Sequence, residues 1–174
     1  MPQPLSLQHL AQRPTGAPVR VLMVCMGNIC RSPTAHGVLE KRVADAGLAD
    51  RIQVDSAGTH DHHVGAPPDR RAQQHAARRG VDLSAQRARQ LTRQDFDDFD
   101  LLLVMDAANE RAALALCPPG QRHKLQRLTG FCTRHAAREV PDPYYGGTQG
   151  FETVLDLVED ASDGLLRALG VARR

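Results

Sequence analysis

The chain reads as an α/β protein: a three-layer, four-stranded parallel sheet with helices on both faces. Two observations point there. Strand-like runs stand at about 19–25, 51–55, 100–105 and 124–128, and helical patterns separate them. The two strongest runs, Val19–Val24 and Asp100-Leu101-Leu102-Leu103-Val104-Met105, are almost continuously apolar, as strands covered on both faces must be. With 174 residues, 24% charged and 41% hydrophobic, the chain has the size and composition of one globular domain. We expect a flexible arm over 1–18, which holds four prolines, and the domain over 19–174.

The first strand feeds the most informative stretch, Cys25-Met26-Gly27-Asn28-Ile29-Cys30-Arg31-Ser32-Pro33. Ser32-Pro33 marks a helix start, because proline near the first helical position forfeits no hydrogen bond. A tight loop entering a helix gathers unpaired backbone N–H groups and the positive end of the helix dipole around one point. Such a place holds a phosphate-like dianion and also favours a thiolate, here Cys25 with Arg31 nearby. Gly27 permits close approach of backbone to an anion, Asn28 tolerates the left-handed conformation, and Ser32 can donate to the sulfur. Cys132 and Arg138 repeat the Cys25–Arg31 spacing. No strand-like run precedes that copy, it holds no glycine and no Ser-Pro follows, so it reads as coincidence.

The stretch Cys25–Pro33 resembles the active-site loop of the low molecular weight protein tyrosine phosphatases. The resemblance spans nearly all of 19–170 and implies a flavodoxin-like strand order. It also implies a phosphocysteine mechanism with no cofactor and no metal. Cys25 is then the nucleophile, Met26, Gly27, Asn28, Ile29 and Cys30 form the phosphate-binding loop with Arg31, and Ser32 stabilises the thiolate.

Further along, Val38, Leu39 and Val43 lie on one face of a helix over 32–46, closed by Gly47. The short strand that follows runs into Asp55-Ser56-Ala57-Gly58-Thr59. By resemblance Ser56 braces Asn28; a serine capping the turn is the plainer alternative. His60-Asp61-His62-His63 carries ligand-type side chains without the spacing of a known zinc site. The resemblance instead places His62 and His63 on the pocket rim, where relatives carry a bulkier apolar residue. Pro67-Pro68-Asp69-Arg70-Arg71 opens a helix that ends at Gly80. Asp69 and Arg71 match the family pattern and read as structural. Gln86 stands where relatives have a histidine that supports the Asn–Ser brace.

Asp106 follows the second apolar run, at the carboxyl edge where an open α/β sheet collects its binding residues. We read it as support for the site. An alanine-rich helix over 107–116 is stopped by Pro118-Pro119-Gly120. Val140-Pro141-Asp142-Pro143-Tyr144-Tyr145-Gly146-Gly147 is a turn holding both tyrosines of the chain. By resemblance Asp142 is the general acid, and Tyr144 and Tyr145, with Ile29, His62 and His63, wall the substrate pocket. A closing helix over 150–169 turns Phe151, Val154, Leu155, Val158 and Leu165 inward.

A net charge of +2 without a basic stripe argues against nucleic-acid binding. No apolar run approaches the roughly 20 residues of a membrane span. The N-terminus lacks a signal-peptide pattern, and four cysteines in this length do not suggest a disulfide framework, so a cytoplasmic setting is expected. Cys30 is either a partner for a reversible disulfide with Cys25 or a small buried residue. The expected partner is a phosphotyrosine-bearing protein, a tyrosine kinase being one candidate. Alternatives on the same fold are a thiol-dependent arsenate reductase, which needs two more relay cysteines, and a protein-arginine phosphatase, which usually carries threonine where Ile29 stands. A non-catalytic phosphotyrosine-binding module would lose Cys25 or Asp142.

Overall fold

The computed structural model describes residues 7–170. Four parallel strands, β1 (Val19–Cys25), β2 (Ile52–Gly58), β3 (Leu101–Val104) and β4 (Leu125–Arg127), form one sheet in the order β2-β1-β3-β4. This is the flavodoxin-like order, which periodicity alone did not supply. Helices α1 (Arg31–Asp45), α2 (Arg70–Arg78), α3 (Gln94–Asp98), α4 (Ala107–Leu116) and α5 (Thr148–Ala168) complete the layers.

Strand alternation explains both cores. Val21, Met23, Leu101 and Leu103 point to one face, where Val38 and Leu39 of α1 and Val154, Val158 and Leu165 of α5 cover them. Leu22, Val24, Leu102 and Val104 point to the other and meet Phe96, Phe99 and Ala113. Each of these strand side chains is fully buried, which accounts for the unbroken apolar runs. Helix α5 also packs its backbone against the turn after β4. A Cβ at Gly164 would lie 1.8 Å from the Phe131 carbonyl oxygen, so only glycine permits that approach.

Helix α3 was not anticipated; five residues are too few to show a period. Asp95 within it is buried and accepts two hydrogen bonds from Arg89. In the segment before β1, a 3-10 turn covers Gln8–Gln12. Leu7 and Leu10, three residues apart on that turn, pack on the core, and His9 Nε2 lies 2.8 Å from the Asp100 carbonyl oxygen. Residues 1–6 of the expected arm lie outside the described residues.

The fold brings the carboxyl ends of β1 and β3 side by side. Cys25 ends β1 opposite Gly58 of β2, and Met105-Asp106 follow β3. Both chain segments that the sequence marks for chemistry therefore reach one edge of the sheet.

Candidate active site

The loop from Cys25 to Arg31 is built against β2. A Cβ on Gly58 would stand 2.7 Å from the Met26 carbonyl oxygen and 3.1 Å from the Asn28 nitrogen, so the loop's backbone rests directly on that glycine. The Thr59 and His60 N–H groups donate to the Cys25 and Met26 carbonyls, both at 2.9 Å. Asn28 has φ +56°, the one non-glycine residue in the left-handed region among those described, as its residue type allows.

A buried polar network holds this conformation. The Asn28 amide donates to Ser32 Oγ at 2.8 Å and to Ser56 Oγ at 3.0 Å, while the Arg89 N–H donates to Asn28 Oδ1 at 3.0 Å. Ser32 Oγ in turn lies 3.0 Å from Cys25 Sγ. Cys25, Asn28 and Ser32 are each buried. A polar group removed from water must be paired, and here each bond also fixes the loop.

Ser56 has two further neighbours. Gln86 Oε1 accepts from its hydroxyl at 3.4 Å, and the Gln86 amide donates to the Pro33 carbonyl at 3.0 Å. His36 Nδ1 lies 3.2 Å from the same hydroxyl. The glutamine thus stays in the network, and a histidine enters it from α1 instead. Sequence reading missed His36, although its spacing four residues beyond Ser32 places both on one helix face.

Arg31 is 3% exposed and is aimed by two acceptors, with a second carboxylate nearby. Its Nη1 donates to Asp106 Oδ2 at 2.5 Å and to the Val140 carbonyl at 3.0 Å, and its Nη2 stands 3.7 Å from Asp142 Oδ2. Burial works against the guanidinium charge, but negative charge at Cys25 and the hydrogen bond to Asp106 outweigh it and raise its pKa. Burial likewise disfavours the Asp106 carboxylate. The Arg31 guanidinium and the Asn109 N–H, which donates to Asp106 at the start of α4, overcome that and hold it below the usual carboxylate range.

Asp142 comes from the exposed turn before α5. Its Oδ1 accepts from the Tyr144 N–H at 3.0 Å. Arg71 ties the turn to α2 by donating to the Tyr144 carbonyl at 3.0 Å. A cavity of about 160 Å³ gathers Cys25, Met26, Gly27, Ile29, Cys30 and Arg31 with Asp142, Tyr144, Tyr145, His62 and His63. Ser32, Asn28, Ser56 and Asp106 stand behind it, in the contacts given above. His60 and His62 stack at 5.2 Å. Among the described residues, no group of three or more His, Cys, Asp or Glu is placed to hold a metal ion.

The remaining cysteines differ in kind. Burial, with Asp69 and Cys25 adding, pushes the Cys30 thiol well up, so it is protonated at neutral pH. Cys117 and Cys132 do not line the cavity; they pack beside opposite cores, across the sheet from one another.

A thiol at the base of a loop that opens a helix, facing a buried arginine at the carboxyl edge of a flavodoxin-like sheet, defines the class of cysteine-dependent phosphate-ester hydrolases. The family model for low molecular weight phosphotyrosine protein phosphatase matches residues 20–174. A Synechocystis protein named for that family is 48% identical over 153 residues, covering 87% of this chain and 97% of its own length. Among solved structures, a protein tyrosine phosphatase from Entamoeba histolytica superimposes with a TM-score of 0.85 at 38% identity, covering 88% of this chain and 97% of its own. YfkJ from Bacillus subtilis gives 0.84 at 35% identity, covering 91% and 98%. The chain belongs to the low molecular weight phosphotyrosine protein phosphatase family.

Proposed function

We propose that this site hydrolyses phosphotyrosine in proteins, without a metal, through a cysteinyl-phosphate intermediate. The observation that carries the reading is one cavity holding the Cys25 sulfur, the Arg31 guanidinium and the Asp142 carboxyl group together.

The substrate phosphate seats on the backbone N–H groups of residues 26 to 31 and on Arg31, which take up charge on its equatorial oxygens. The Cys25 thiolate attacks phosphorus as the P–O bond to the aryl group breaks. Asp142 gives its proton to the departing phenolate oxygen. In the second half the Asp142 carboxylate takes a proton from water as that water attacks phosphorus. The S–P bond breaks, and the Ser32 hydroxyl, 3.0 Å from the sulfur, stabilises the thiolate that returns. Ile29, Tyr144 and Tyr145 offer apolar surface to the substrate ring, with His62 and His63 on the rim.

A phosphotyrosine-bearing protein is the substrate class this arrangement suits, and a tyrosine kinase is one such protein. The reactive thiolate suits a reducing, cytoplasmic setting. No helix among the described residues is long and apolar enough to cross a membrane. The relay cysteines of an arsenate reductase find no counterpart here, since Cys117 and Cys132 pack on opposite sides of the sheet.

Kinetics on variants test the assignment. Cys25→Ser abolishes turnover, and Asp142→Ala lowers kcat about a hundredfold or more while phosphotyrosine peptides still bind. Equal loss of binding and turnover in the Asp142 variant refutes its role as proton donor. Rates on phosphotyrosine, phosphoarginine and phosphoserine peptides without added metal decide the substrate class.

A further inference from the structure

Two loops from distant parts of the chain must meet at the cavity, and one chain of contacts joins them behind it. The Asp69 N–H donates to the Ile29 carbonyl of the phosphate loop at 2.7 Å. The Asp69 carboxylate caps α2 and takes a forked pair of hydrogen bonds from Arg71, from Nε to Oδ1 at 3.2 Å and from Nη2 to Oδ2 at 3.0 Å. The same Nη2 donates to the Tyr144 carbonyl at 3.0 Å. Tyr144 then uses its own N–H to hold Asp142 Oδ1 at 3.0 Å. Both backbone polar groups of one residue are engaged, one by Arg71 and one by the proposed proton donor.

The guanidinium also lies over two aromatic rings. Its carbon lies 4.9 Å from the ring centre of Phe151, on α5, and 5.6 Å from that of Tyr144. Arg71 itself does not line the cavity. Its side chain is 44% exposed, so its removal leaves no buried hole.

We propose that Arg71 is a positioning residue for proton transfer, fixing the Asp142 turn at a set distance from the phosphate loop through Asp69 on one side and the Tyr144 carbonyl on the other. The inference rests on the reading of Asp142 as general acid. A planar fork serves two acceptors at once and can lie over aromatic rings. A lysine, a point charge on a flexible stem, does neither.

The test is kcat/KM across a series of aryl phosphates, because a proton donor matters most when the leaving phenolate is basic. In the full-length enzyme, Arg71→Ala lowers kcat/KM on phenyl phosphate about tenfold more than on 4-nitrophenyl phosphate, since a misplaced acid is a weakened one. Arg71→Lys behaves like the alanine variant. Asp69→Asn, which keeps the helix cap and the bond to Ile29, shows the same slope to a lesser degree. Inhibition by inorganic phosphate is unchanged. Placed in an Asp142→Ala background, Arg71→Ala costs less than about twofold more, because residues acting through one group are not additive. A uniform loss across the series, full restoration by lysine, or an undiminished loss in that background overturns the proposal. If Asp142→Ala alone leaves the leaving-group slope unchanged, the general-acid reading itself fails and takes this inference with it.

Discussion

The phosphate loop and the acid turn face each other across one cavity, yet they are held by opposite means. Asn28 in the first is 2% exposed and receives or gives three hydrogen bonds to residues from α1, β2 and the segment after α2. Tyr145 in the second is 91% exposed, and the turn is tied from outside mainly through the backbone of Tyr144. Charge that develops on phosphorus is best met by dipoles already in place, since any that must reorient raise the barrier. A proton donor has a different task. It must let substrate in, lose its proton and recover it, so an exposed turn with a few directional ties suits it. On the proposed mechanism, the comparison teaches that rigidity serves the anion and access serves the acid.

That contrast can be broken at several points. The largest effect outside the reacting groups belongs to Gly58→Ala. Its methyl would collide with the backbone of Met26 at 2.7 Å, so the phosphate loop must shift, and kcat/KM is expected to fall about a hundredfold. Retention of full activity would show that the loop is looser than its contacts imply.

Next comes Asp106→Asn, which keeps a good helix cap but removes the charge that aims Arg31. We expect about a tenfold loss of kcat/KM and a loss of about 2 kcal/mol in stability at neutral pH, read by denaturant unfolding. The sign with pH follows from the lowered carboxyl. Its stabilisation is fully present above the unfolded carboxylate value of about 3.9 and disappears as pH falls through the lower folded value. The wild type and the asparagine variant should therefore converge in stability only in strong acid. Divergence that grows on acidification would refute the ion pair's role.

The smallest effect belongs to Tyr145→Ala. The side chain is nearly all in water, so stability should move by less than about 0.5 kcal/mol while KM for phosphotyrosine peptides rises. A change in melting temperature of several degrees would place the acid turn with the rigid loop rather than against it.

Legibility in the sequence followed the same division. The strand, Gly27, Asn28 and Ser32-Pro33 announce a left-handed loop entering a helix, because each residue type answers a local backbone demand, and Asn28 does sit at φ +56°. The helix over 107–116 was legible to the residue, since a proline pair ends it. The first strand was legible to the residue as well, the second runs three residues past its expected end, most other boundaries moved by one or two, and α3 was too short to announce itself. That Leu7 and Leu10 pack on the core was not legible, because the surface they meet exists only once the domain has folded. His36 and Arg89 were missed as site residues, and Arg71 was read as structural only. Their partners, Ser56, Asn28 and Tyr144, stand 20, 61 and 73 residues away along the chain.

By itself, then, the chain's order of residues determined the local pieces: four strands, the helices long enough to show a period, and a loop whose backbone could cradle an anion. Those depend on interactions among near neighbours, which spacing and residue type encode directly. Only the tertiary structure decided that β1 lies between β2 and β3, that Asp142 reaches the Arg31 guanidinium, and that Arg71 links the two halves of the site. Contacts across many tens of residues depend on how the layers pack, and no local pattern carries that information.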